Sequence, residues 1–183
     1  MDSNLRPSVD GRAWVEIDLG ALSHNAAEIH SHLPVGCELM AVVKSDAYGH
    51  GTVDCAIRLS REGYKVFAVA TVVEGIRLRK SVPDSRILVL GYTHPKDAEF
   101  LSQYSLSQLV VDGEHARSLD EMGYALEVHI AVDTGMHRLG FRPDAISNIE
   151  DVFNSKNLKV CGMASHFAVS DSFSDEDMEF TKG

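Results

Sequence analysis

The 183-residue sequence predicts a parallel α/β fold of the (β/α)8 TIM-type barrel, on three observations. Short apolar runs alternate with segments whose apolar residues recur every three or four positions, which is the rhythm of β/α units. The runs are continuous rather than alternating, as in strands covered on both faces. The first run opens into "KSDAYGHG", which lacks the GxGxxG of a dinucleotide-binding doubly wound sheet, the other arrangement that suits this periodicity.

The elements follow in order. Asp18 caps a helix that places Leu19, Leu22, Ala26, Ile29 and Leu33 three or four apart, and Pro34 stops it. Leu39, Met40, Ala41, Val42 and Val43 read as the first strand, buried on both faces. "KVFAVAT" is the second strand, and Thr71 with Glu74 three residues on is a capping box that opens the helix "VVEGIRLRK". "RILVLG" follows, then Pro95 in a first helical turn, with Ala98, Leu101 and Tyr104 on one face. "SQLVV" is the fourth strand, and its helix carries Ala116, Leu119 and Met122 to a stop at Gly123. "ALEVHIAVD" is the fifth, with a helix from near Pro143 that turns Ile146, Ile149 and Phe153 inward. "LKVCGMASHF" is the sixth. A closed barrel takes eight strands and ~250 residues, so about six units make the barrel incomplete. Such an arc leaves two exposed edges and an open interior, and the expectation is a portion of a longer protein that does no chemistry alone.

Composition narrows the function classes. The chain is 44% hydrophobic and 24% charged, with a net charge of −10 and no Lys/Arg-rich stripe, which argues against nucleic acid or an anionic membrane as partner. Cys37, Cys55 and Cys161 lie far apart with no C-x-x-C, so neither a disulfide framework nor a metal site is expected and a reducing, cytoplasmic setting fits. No segment approaches the ~20 apolar residues of a membrane span, and "MDSNLRPSVDGR" lacks the apolar core of a signal peptide.

The unusual polar residues gather at one end of this framework. Lys44 ends the first strand, Tyr48 lies in the loop after it, Arg138 lies in the loop after the fifth, and His166 ends the sixth. That is the C-terminal side of parallel strands, where β/α barrels carry their chemistry. Taken singly, each has a plainer reading: a lysine that snorkels to water, a rim aromatic, a solvated loop arginine, a structural histidine.

"RAWVEIDLGALSHN", "AVVKSDAYGHG", "VDTGMHRLGF" and "GMASHFAVSD" together resemble, in family order, the N-terminal half of the pyridoxal-phosphate-dependent alanine racemases of fold type III. The resemblance implies that Lys44 forms the internal Schiff base with pyridoxal 5'-phosphate and is one of two groups that move the substrate's Cα proton. A lysine suits this, because an amine desolvated at a strand end is a free base at lower pH. By the same resemblance Tyr48 binds the cofactor phosphate, Arg138 meets the phenolic oxygen and the substrate carboxylate, and His166 packs by the ring. Where many members carry a carbamylated lysine before "DTGM", this sequence has Ala131, which supplies no negative charge to orient Arg138. His137 is expected to face solvent.

The family's opposing base, a tyrosine from the C-terminal domain of the partner in a homodimer, has no counterpart among these residues. Residues 1–17 are read as a leading segment whose "AWVEI" strand belongs with that second, β-rich domain, and 18–183 as the cofactor-binding barrel portion. The implied reaction interconverts L- and D-alanine and supplies D-alanine for cell-wall peptide. Two alternatives stand beside it, a serine racemase of the same family and a small noncatalytic pyridoxal-phosphate carrier, the latter opposed by "AYGHG" and "DTGMHRLG".

Overall fold

The computed structural model describes residues 13–182. Helix α1 (Leu19–Ser31) starts where Asp18 accepts the N–H groups of Gly20 and Ala21. Strand β1 (Met40–Val42) leads into one helical turn, α2 (Lys44–Tyr48), and then α3 (Thr52–Arg61). Four further strands follow with their helices: β2 (Val66–Val69), α4 (Val72–Ser81), β3 (Arg86–Val89), α5 (Ala98–Gln103), β4 (Ser107–Val110), α6 (Gly113–Glu121), β5 (Leu126–Ala131) and α7 (Ile146–Phe153). The last unit is β6 (Leu158–Ala164) with α8 (Asp175–Lys182). None of the described helices is long and apolar enough to cross a membrane.

The six strands are parallel and lie in the order β1-β2-β3-β4-β5-β6. This order decides between the two architectures, because a doubly wound sheet reverses its strand order at a switch point and a barrel does not. The side chains sort accordingly. Phe67, Val69, Ile87, Val89, Val110, Val128 and Ile130 face the helices in the larger core, whereas Ala68, Leu88, Leu109 and Ala131 form a second, smaller cluster on the other face. A larger core under the helices and a smaller cluster on the opposite face suit a sheet that curves around its own interior inside an outer layer of helices.

Capping decides where the helices begin. The Thr71 hydroxyl accepts the Glu74 N–H at 3.2 Å while the Glu74 carboxylate accepts the Thr71 N–H at 3.3 Å, which completes the expected capping box on α4. Pro95 opens a short 3-10 turn, Pro95–Asp97, ahead of α5. Asp112 caps α6, which ends before Gly123 at φ +78°.

Four local expectations are corrected. β1 is shorter than expected and not covered on both faces: Met40 and Val42 remain 36% and 44% exposed, because β1 is an edge strand and they point to the open interior side. α7 begins at Ile146 and turns Val152 inward, leaving Ile146 and Phe153 exposed. A helix this short packs on α6 and β6 along one narrow face, and Ile149 and Val152, three apart, occupy it. Met122 is the exposed residue that closes α6. Ala13 to Ile17 forms no strand, and Trp14 and Val15 are exposed; the start of the leading segment, residues 1–12, lies outside the described residues.

Beneath the strand ends runs a buried polar group. Gln108 is fully buried and donates to the carbonyls of Gly91 (2.8 Å) and Leu109 (2.7 Å) while accepting from the Thr93 hydroxyl. His115, 2% exposed, sits 3.0 Å through Nε2 from the Thr93 carbonyl, with the Val111 N–H directed at Nδ1. A carbonyl only accepts and an N–H only donates, so the contacts select the neutral ring with its proton on Nε2. Burial pushes the His115 pKa below its ordinary value, against the opposing pull of the Thr93 carbonyl and Asp112. The native protein then binds fewer protons than the unfolded chain, so stability is full above about pH 6.5 and falls as the pH drops below it. Urea midpoints at pH 7.5 and 5.5 check this: His115→Phe, which cannot titrate, flattens the decline, and an equal decline in both proteins refutes it.

Candidate active site

The site is built on an unusual backbone. After Val43, which is buried, the chain enters four consecutive left-handed residues, Ser45 (φ +52°), Asp46 (+54°), Ala47 (+51°) and Tyr48 (+55°). None is glycine, and each such residue costs roughly 1–2 kcal/mol, so the turn persists only because its surroundings over-determine it. Those restraints are visible. Ala47 N–H donates to the Val43 carbonyl (3.1 Å), and the Gly49 and Gly51 N–H groups donate to the Asp46 carbonyl (3.0 and 2.9 Å). The Asp46 carboxylate accepts the Thr52 N–H at 3.0 Å, and the buried Thr52 hydroxyl donates to the Val43 carbonyl at 2.8 Å. The left-handed winding brings Lys44 and Tyr48 together, with the lysine Nζ 5.9 Å from the centre of the phenol ring. α2 therefore replaces the expected loop, and it places both residues on one cavity.

Arg138 comes from the segment between β5 and α7. The Asp133 N–H donates to the Phe141 carbonyl and the Phe141 N–H to the Ala131 carbonyl, each at 2.8 Å, which closes a loop anchored by the buried Phe141. Inside it the Asp133 carboxylate accepts the N–H groups of His137 (2.9 Å) and Gly135 (3.1 Å) and meets His137 Nδ1 at 3.0 Å. These contacts, the His137 N–H first, hold the Asp133 carboxyl below the usual carboxylate range. His137 is thus more than solvent-facing polarity, since it pairs with the aspartate that shapes the loop. Arg138 itself is exposed and makes no hydrogen bond or ion pair among the described residues. Ala131, 3% exposed, presents a methyl group to the same cavity, so no side chain at that position orients the guanidinium.

Lys44, Tyr48, Arg138 and His166 all line one cavity of about 420 Å³ at the C-terminal ends of the strands. Its walls are otherwise mostly apolar, from Val42, Leu90, Leu109, Ala131 and Ala164. A largely apolar pocket of this size with a few convergent polar groups suits a small-molecule ligand. All four residues expected from the sequence are brought together. Sequence reasoning missed Asp133, which lines the cavity and whose signal was its place in "VDTGMHR".

The chain matches the family model for the alanine racemase N-terminal domain over residues 17–182. It belongs to that family. A serine/alanine racemase of Enterococcus gallinarum is 44% identical over 167 residues, covering 91% of this chain and 24% of that protein. An alanine racemase of Carboxydothermus hydrogenoformans is 39% identical over 173 residues, covering 92% of this chain and 46% of that protein. The solved alanine racemase of Clostridium difficile 630 superposes with a TM-score of 0.86 at 32% identity, covering 95% of this chain and 47% of that one. This member of the family therefore spans less than half the length of each of these three relatives.

Proposed function

We propose that the whole protein is an amino-acid racemase that interconverts L- and D-alanine with pyridoxal 5'-phosphate as cofactor. The observation that carries this reading is the shared cavity: a primary amine, a phenol, a guanidinium and an imidazole converge on an apolar pocket. The donor set fits that cofactor, an aldehyde for the amine with a phosphate and a phenolic oxygen for the neighbouring donors. When bound, pyridoxal phosphate delocalises the electron pair left on Cα. With the cofactor held, Lys44 would accept the Cα proton on its own side, Tyr48 would donate to the phosphate, His166 would flank the ring, and Arg138 would steer the substrate carboxylate.

Inversion also needs a proton donor facing Lys44. Tyr48 stands on the lysine's own turn; following the family resemblance, we assign the opposing group to the second domain of a partner in a homodimer and propose that residues 1–183 alone are inactive. The exposed Trp14 and Val15 support residues 1–17 as a leading segment that packs with that second domain, and 18–183 as the barrel portion. Unpaired Cys37, Cys55 and Cys161 fit a cytoplasmic enzyme supplying D-alanine for cell-wall peptide.

Serine is the second reading for the substrate, favoured by the 44% identity to the serine/alanine racemase. The test is Cα deuterium uptake from D2O by L-alanine and L-serine on the full-length protein. Exchange into alanine faster than into serine is expected; the reverse selects serine, and exchange into neither with the cofactor bound selects a carrier and refutes both.

A further inference from the structure

Glu74 is placed as a helix cap, yet its carboxylate reaches beyond the cap. Oε2 accepts the N–H groups of Ala70 (2.7 Å) and Thr71 (3.3 Å) at the end of β2. Oε1 accepts the Ser45 N–H at 2.8 Å, across 29 positions of sequence. A capping box needs only the Thr71 amide, so the bond to Ser45 is surplus to it. Ser45 directly follows Lys44 and is the first of the four left-handed residues. The other side-chain restraints on this turn, from Asp46, His50 and Thr52, come from the turn's own strand of sequence. Among the described residues, Glu74 is the side chain that ties the turn to the neighbouring β/α unit.

We propose that Glu74 is a positioning residue for Lys44. Its single carboxylate joins the C-terminal ends of β1 and β2 and fixes the direction in which the left-handed turn presents the lysine amine and Tyr48 to the cavity. The inference rests on, and deepens, the functional reading above. An ionised carboxylate suits the task because three N–H donors converge on its two oxygens, whereas a glutamine would aim its NH2 group at one set of them.

The test compares Glu74→Gln with Thr71→Ala in the full-length protein. Thr71→Ala removes the other half of the capping box and weakens the start of α4 without touching the Ser45 bond, so it reports what a cap alone contributes. Two quantities are followed: hydrogen exchange at the Ser45 amide, and the rate at which borohydride fixes pyridoxal phosphate on Lys44. In Glu74→Gln the Ser45 exchange rises and the fixation rate falls, each about tenfold, and neither changes in Thr71→Ala. Should the glutamine variant not fold, Glu74→Asp keeps the charge but is one methylene shorter, and the same differences are expected of it. Unchanged Ser45 exchange in the Glu74 variants, or equal losses in Thr71→Ala, reduces Glu74 to a cap and overturns the proposal. If Lys44 of the unaltered protein takes no label, the functional reading fails, and the exchange comparison still decides whether Glu74 holds the turn.

Discussion

On the proposed function, Lys44→Ala in the full-length protein is expected to eliminate borohydride fixation of pyridoxal phosphate and to lower alanine racemisation by at least about 10³-fold, because it would remove both the cofactor's attachment point and a proton-transfer group. The structure makes this lysine the expected target. It stands at the C-terminal end of β1 on the cavity that also holds Tyr48, Arg138 and His166. Lys65 is the informative control. It precedes β2, at the opposite end of the sheet, and its Nζ donates to the Ser60 hydroxyl at 2.7 Å. Peptide mapping of the reduced protein with the label on Lys65, and Lys44 clean, refutes the assignment.

Gly140→Ala is expected to destabilise the protein by ~2–4 kcal/mol, through backbone strain and overpacking together. Gly140 has φ +119°, and a Cβ there would lie 2.7 Å from the Asp133 nitrogen and 3.0 Å from the Val132 carbonyl carbon. Both are backbone atoms, so no rotamer relieves the overlap. Backbone movement would strain the Gly140 N–H bond to the Val111 carbonyl (3.1 Å) and the pairing of Phe141 with Ala131 that closes the Arg138 loop. Gly123 offers the comparison, because it also has positive φ (+78°) but nothing within 4 Å of its Cβ position. Gly123→Ala is left with conformational strain alone, about 1 kcal/mol. Chemical denaturation of the two variants separates these contributions, and equal losses would show that the contact with Asp133 does not matter.

Much of the fold was legible because its determinants are local. The Asp18 cap, the Thr71 and Glu74 box and the stop at Gly123 each join residues a few positions apart. The buried runs of β2 to β4 are visible for the same reason, since a strand covered on both faces is mostly apolar, with the hydrogen-bonded Gln108 of β4 as the buried exception. α3 went unread although Cys55, Ala56 and Leu59 lie on its buried face, because its start at Thr52 follows directly on a glycine-rich turn that reads as loop. The exposure of Ile146 and Phe153 was invisible for a different reason. Periodicity ranks faces by apolar content, while the packed face of so short a helix is chosen by what α6 and β6 leave open.

The candidate site divides in the same way. The sequence by itself singled out the four candidate residues and set them at the C-terminal ends of strands, since a parallel β/α rhythm sends every such residue to one face. It also determined that Ala131 brings no charge to Arg138. Only the tertiary structure decided that the chain between Lys44 and Tyr48 winds left-handed, that the Asp133 carboxylate shapes the arginine loop, and that Glu74 reaches Ser45. Local preference opposes four left-handed residues that are not glycine, and what overrides it includes a hydrogen bond between groups 29 positions apart, present only once β1 and β2 lie side by side.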